Sequence, residues 1–327
     1  MQGRLSAARR SMHNVDGRII SAPTKEIQRR RKMYKLIAID LDGTLLNSYG
    51  NVSERNRKAV KAALDKGIEV VICSGRVTSS CENIANEIEA NNYLIAGNGA
   101  QVYDIQNQQV IYDKYLNKQK VLDIVKICEE NSIYCNVYTE NLIIAKSLKY
   151  SALCYNNENQ RKEVGKKTNI NIVEDQYKYI EESNINRFLK IIICDSDRVI
   201  FYGIMKKLSQ VKGVEILEVD HMARKLIHSG TEEIPIEYFY TEITNENVNK
   251  WTALQFLIKH LNIAKEEVVA IGDNVNDKEM IANAGLGVSM DNAAQYVKEV
   301  AKEVVNDNNL DGVADAIERF VLQQYYN

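Results

Sequence analysis

No apolar stretch in this sequence is long enough to cross a membrane. Its longest hydrophobic runs are strand-sized and broken by charges, well short of the roughly 20 apolar residues a spanning helix needs. Surplus positive charge is missing too, since 42 Lys and Arg stand against 44 Asp and Glu for a formal net charge of -2. That balance, and the lack of a basic stripe with interleaved aromatics in the body of the chain, argue against nucleic acid as a partner. The six cysteines, at positions 73, 81, 128, 135, 154 and 194, include no C-x-x-C pair and follow no secretory signal. They read as reduced thiols of a cytoplasmic protein, packed as small hydrophobes. Histidines number four, and His221 and His228 have no third ligand near them in sequence, which argues against zinc. Internal repeats and low-complexity tracts are absent.

Charge is unevenly spread. Residues 1–32 hold nine Lys and Arg and two Asp and Glu, a net of +7, so the remainder, with 33 against 42, stands at -9. The break falls at Met33, after which Tyr34-Lys35-Leu36 opens a strand pattern. We therefore expect residues 1–32 to be a disordered basic leader and Met33 the native start. A transit segment or a nucleic-acid-binding arm are the other readings of an Arg-rich, acid-poor leader.

What the sequence does hold is a pair of acids one residue apart. Asp40-Leu41-Asp42-Gly43-Thr44 follows the apolar run Leu36-Ile37-Ala38-Ile39. In a parallel sheet, ligands bind beyond the carboxyl ends of the strands, and alternate residues there point the same way, so both carboxylates can face one ligand. Three later segments fit the same crevice. Ser74-Gly75-Arg76 follows Val70-Val71-Ile72 and offers a hydroxyl, a bare backbone and a cation suited to a phosphate. Lys250 opens an apolar-periodic helix over 251–261, where its ammonium can reach a crevice as a compact charge. Gly272-Asp273-Asn274-Val275-Asn276-Asp277 follows Val268-Val269-Ala270-Ile271, an oxygen-rich turn suited to a hard cation such as Mg²⁺.

In this order and context the four segments resemble the haloacid dehalogenase superfamily, and within it the Cof-like phosphatases. The likeness extends from about Met33 to the C-terminus through Asn98-Gly99-Ala100, read as a strand after which the cap is inserted, the 284–293 stretch and Asp311-Gly312-Val313-Ala314. The resemblance implies an α/β fold with a doubly wound parallel-sheet core and an inserted α+β cap. It also implies a phosphatase that cleaves a small phosphate monoester, such as a sugar phosphate or a phosphorylated cofactor. Asp40 would be the nucleophile that forms an aspartyl-phosphate and Asp42 the acid and base. Mg²⁺ would be held by Asp40, Asp273 and the backbone carbonyl of Asp42. Lys250, Ser74, Asn276 and the amides of Gly43 and Gly75 would bind the phosphoryl oxygens, with Asp277 behind Lys250. A phosphomutase of the phosphomannomutase kind shares the paired aspartates, and a non-catalytic phosphometabolite-binding protein would keep the fold. One departure is Trp251, where the family usually has a glycine, which bears on how that helix begins.

At 327 residues two domains are the expectation. Strands and helices alternate over 33–113 and 241–327, which we read as one discontinuous core. An amphipathic helix over 53–66 has Ser53 as N-cap, an inner face of Val60, Ala63 and Leu64, and a solvated face with Arg55, Lys58 and Lys61. Residues 114–240 read as the cap, with a helix over 120–129, strands over 142–145 and 188–194, and a polar stretch over 156–167 between them. Its Tyr and Asn richness pervades the whole chain and is read as compositional.

Overall fold

Strands with continuous burial and helices with one buried face form two sheets and their covering layers. The computed structural model describes residues 33–217, 223–229 and 232–323. The expected leader and His221 lie outside the described residues. The chain opens with β1 (Leu36–Ile39), β2 (Glu69–Cys73), β3 (Tyr93–Ala96), β4 (Gln101–Asp104) and β5 (Gln109–Asp113). A second sheet follows, from β6 (Tyr134–Thr139), β7 (Leu142–Ala145), β8 (Asn169–Ile172), β9 (Phe188–Asp195), β10 (Val214–Ile216), β11 (Ala223–Ser229) and β12 (Glu232–Asn245). The chain then returns to the first sheet with β13 (Val268–Gly272), β14 (Leu286–Met290) and β15 (Glu303–Val305).

The first sheet runs β15-β14-β13-β1-β2-β3-β4-β5, parallel through β3 and antiparallel at β4 and β5. Its central strands are buried on both faces. Ile37, Ile39, Ile72 and Ile271 pack on one side against the helix α1 (Glu54–Asp65) and the helical turns over 312–322. Leu36, Ala38, Val71 and Ala270 pack on the other. Such two-sided burial explains why these strands read as unbroken apolar runs. The α/β class, a parallel sheet covered by helices, is as the sequence implied.

Local chemistry sets the helix ends. Ser53 caps α1 by accepting from the Asn56 N–H at 3.1 Å, and Gly67, at φ +73°, follows its C-cap. After α2 (Thr78–Glu87), the second sheet is covered on one face by α3 (Lys118–Glu130), α5 (Gln176–Glu182) and α6 (Arg198–Leu208) through residues such as Val125, Ile180 and Leu208. Its other face carries Tyr138, Ile192 and Tyr238, together with α4 (Tyr150–Gln160), and packs on Val77, Ala100 and Val248 near the first sheet's strand ends. The polar 156–167 stretch thus begins inside a helix, one whose apolar face is too weak to register as periodic. Strand β12 is unbroken through Asn245 and pairs with both β9 and β10, so residue 241 falls within the second sheet.

Candidate active site

Strands β13, β1 and β2 are neighbours, so the residues that follow them converge. Asp40 comes directly after β1 and its N–H donates to the Ile271 carbonyl at 3.0 Å, which continues the ladder and fixes the carboxylate. The helix α7 (Lys250–His260) begins with Lys250, fully buried, whose Nζ donates to Asp40 Oδ1 at 2.5 Å and to Asp277 Oδ1 at 2.6 Å. The second oxygen of Asp277 accepts from the N–H groups of Asp273 and Asn274, both at 3.0 Å. One carboxylate therefore holds both the lysine and the turn after β13. Thr44 Oγ1 donates to Asp273 Oδ1 at 2.8 Å, and Asn292 Nδ2 donates to the Gly43 carbonyl at 2.9 Å. Gly43 has φ +83°, and a Cβ there would meet Asp273 Oδ2 at 2.4 Å, so only glycine lets the two loops touch.

Asp40, Asp273 and Asp277 each offer an oxygen within 4.8 Å of the others. With all three carboxylates ionised, the one ammonium would leave two negative charges in a buried place. Burial, then the Asp277 charge, raises the Asp40 carboxyl well above its usual range despite Lys250. The same causes push Asp273 up to about 7, with the Thr44 bond opposing. Burial by itself would depress Lys250, but Asp277 and Asp40 hold its ammonium above the ordinary value. An oxygen cluster with uncompensated negative charge suits a divalent cation, so the donor set fits one.

The paired acids separate in role. The Asp42 side chain lies apart from the three-carboxylate cluster and instead accepts two bonds from Arg76, from Nε at 2.8 Å and Nη2 at 2.6 Å. The same guanidinium donates to Glu158 of α4, at 3.1 Å to each oxygen. Arg76, read from the sequence as a cation for phosphate, is thus already bound by carboxylates on two sides. Burial opposes its charge, but Asp42 and Glu158 more than compensate and hold its ionisation well above the ordinary range. The Asp42 carboxylate, held by Arg76, is not part of the three-carboxylate group.

Ser74 is buried after β2, with its Oγ accepting from the Arg76 N–H at 3.2 Å. Its neighbour Cys73 is fully buried, which raises its thiol and leaves it a packing role. The Asn98-Gly99-Ala100 segment, read as a strand, is instead a tight turn between β3 and β4, with Asn98 at φ 59° and Gly99 at φ +99°. A Cβ on Gly99 would stand 2.2 Å from the Asn249 carbonyl, so the turn presses on the start of α7. Asn249 caps that helix by accepting from the Thr252 N–H at 2.8 Å, and Trp251 is buried in the sheet-face core, so the departure at Trp251 leaves helix entry intact. Asn98 accepts from Asn276 Nδ2 at 2.9 Å and donates to Glu242 of β12.

Asp40, Asp42, Gly43, Ser74, Gly75, Asp273 and Asn276 all line one cavity of about 380 Å³, with Lys250 and Asp277 directly beneath through their bonds to Asp40 and to the Asp273 N–H. Its upper wall comes from the second sheet and α4, through Tyr155, Glu158, Lys190, Tyr238, Tyr240 and Glu242. No local signal marks these wall residues. Thr44 and Asn98 sit inside recognised segments but show their contacts only in three dimensions.

A buried acid and lysine cluster at the carboxyl ends of a parallel sheet, with glycine turns around an oxygen-lined cavity, is an arrangement an α/β fold can use for phosphoryl transfer. The chain belongs to the haloacid dehalogenase-like hydrolase family, whose profile matches residues 37–317. It is 32% identical over 284 residues to the phosphatase YwpJ of Bacillus subtilis, covering 86% of this chain and 97% of that protein. It is 30% identical over 296 residues to the 5-amino-6-(5-phospho-D-ribitylamino)uracil phosphatase YcsE of the same organism, covering 90% and 99%. A solved haloacid dehalogenase-like hydrolase from B. subtilis superposes with a TM-score of 0.72 at 26% identity, over 88% of this chain and 100% of that one. The protein is a phosphatase of this family. Among the described residues no helix is long and apolar enough to cross a membrane.

Proposed function

We propose that this protein is a Mg²⁺-dependent phosphatase that hydrolyses a small phosphate monoester through an aspartyl-phosphate on Asp40. The observation that carries the reading is Lys250 Nζ held between Asp40 and Asp277 at 2.5 and 2.6 Å, directly under the cavity. Asp40 attacks phosphorus in line. Asp42 protonates the departing oxygen and then takes the proton of the water that cleaves the phosphoenzyme. Arg76, by two bonds to Asp42, keeps that carboxylate over the cavity. Lys250 clamps the transferring phosphoryl group and Asp277 fixes Lys250. Ser74, Asn276 and the amides of Gly43 and Gly75 take the remaining oxygens. Asp40, Asp273 and the carbonyl of Asp42 would hold Mg²⁺, whose charge offsets the repulsion between carboxylate and phosphate. That repulsion is about 4 kcal/mol per pair of unit charges at 4 Å with an effective dielectric near 20.

The second sheet and its helices act as a cap over the strand ends, with crossovers near 114–117 and 246–249, and closure excludes water from the phosphoryl group. A small ester fits the cavity of about 380 Å³, and the named substrate of YcsE, a phosphorylated ribitylaminouracil, is of that size class. The six cysteines are free thiols, five of them buried, which suits a reducing, cytoplasmic setting.

The test is release of inorganic phosphate from a panel of metabolite monoesters, with and without Mg²⁺, by the wild type and Asp40→Asn. Release that needs both Mg²⁺ and Asp40 is expected. Metal-independent release, or release by Asp40→Asn at the wild-type rate, would overturn the mechanism.

A further inference from the structure

The cavity lining has positive charge but none to spare. Among the described lining residues there are five carboxylates, Asp40, Asp42, Glu158, Glu242 and Asp273, and two cations, Arg76 and Lys190. Arg76 is shared between Asp42 and Glu158. Lys190 of β9 pairs with Glu242 of β12 at 2.8 Å, with both side chains largely buried, and lies 5.3 Å from the centre of the Tyr138 ring. Asn98 fixes Glu242 from the other side. Lys190 Nζ stands 3.1 Å from where a Cβ on Gly75 would be, so it is next to the proposed phosphoryl site and is the cation a second anionic group would meet.

To bind such a group, Lys190 would have to leave Glu242 in a largely buried place, or Arg76 would have to give up Asp42 and Glu158, the latter also held by Lys162, and the incoming anion would face Glu158 and Glu242. An uncharged leaving group meets no such opposition. Tyr155, Tyr238 and Tyr240 offer ring faces, and the carboxylate oxygens accept O–H or N–H donors from a polyol or a heterocycle. We propose that the substrate is a monoester whose leaving group carries no second anion, and that Glu242 and Glu158 are the specificity-determining residues that enforce this. The inference rests on the phosphatase reading above and names the substrate class within it.

Sorbitol 6-phosphate and 6-phosphogluconate differ only in a hydroxymethyl against a carboxylate, and p-nitrophenyl phosphate serves as the reference ester. With Mg²⁺ present, the wild type is expected to favour sorbitol 6-phosphate in kcat/KM by roughly tenfold or more. Glu242→Gln leaves the Lys190 ammonium unmatched, so the preference should shrink by a similar factor, through a lower KM for 6-phosphogluconate. Glu158→Gln should shift the ratio the same way and serves if Glu242→Gln does not fold. Turnover of p-nitrophenyl phosphate with equal or greater kcat/KM for 6-phosphogluconate in the wild type would overturn this inference and leave the phosphatase reading standing. So would an unchanged ratio in a folded, active variant. No release from any ester, p-nitrophenyl phosphate included, would overturn both.

Discussion

The floor and the wall of the cavity are built in opposite ways. Floor residues Asp40, Ser74 and Asp273 each follow directly on a buried strand, β1, β2 or β13, and the backbone ladder of three adjacent strands sets their spacing. Wall residues Glu158, Lys190 and Glu242 come from a helix and two antiparallel strands far apart in sequence, and their positions depend on pairing with one another and with Arg76 and Asn98. On the proposed reading the floor carries the reaction, and the wall, a set of balanced pairs, selects what reaches it. Changes in the floor should destroy turnover or stability, whereas changes in the wall should alter which ester is used.

The sharpest break of that contrast is at the paired acids. Asp40→Asn should lower turnover by about four orders of magnitude or more, while Asp42→Asn should retain slow turnover or accumulate a phosphoenzyme, visible by mass spectrometry. Equal, near-wild-type rates in both would erase the distinction between nucleophile and acid. Next comes Lys250→Met, which leaves Asp40 and Asp277 buried without their ammonium. It should lose activity and cost about 3–5 kcal/mol in urea unfolding, because an unpaired buried charge is far more costly than a lost surface pair. A loss under about 1 kcal/mol would mean that the floor is not held by this lysine.

Metal removal probes the same cluster. Asp273 is raised to about 7 in the folded protein, against about 3.9 in an unfolded chain. The folded state therefore binds the extra proton between these values, and the metal-free protein should lose stability as pH climbs from about 4 through about 7. Mg²⁺ needs the ionised carboxylates, so it should raise Tm more at about pH 8 than at about pH 5.5, relative to EDTA-treated protein. An equal shift at both, or none, would count against a metal on Asp273. The smallest effect belongs to the wall. Tyr155→Leu should raise KM by roughly two- to fivefold and leave kcat within about twofold, since it removes a ring face and no reacting group.

The floor was legible in the sequence because its chemistry is local. A strand-sized apolar run followed at once by an acid, a serine or a glycine turn both predicts the element and places the side chain at its carboxyl end. The α1 cap at Ser53 was readable for the same reason. Asn98-Gly99-Ala100 was recognised but misread as strand, since a left-handed turn between two strands carries the same apolar flanks. The tyrosines were dismissed as composition, yet Tyr155, Tyr238 and Tyr240 face the cavity.

By itself, the sequence determined the α/β class, the family and the residues that follow each central strand, because these depend on periodicity and on neighbours within a few positions. The tertiary structure alone decided that Arg76 would clasp Asp42 and Glu158, that Asn98 would join Asn276 to Glu242, and that Lys190 would stand over Gly75. Those contacts span tens to more than a hundred residues of chain. Burial forces each charge to find a partner, but only the packing of one sheet above the strand ends of the other decides which partner is within reach.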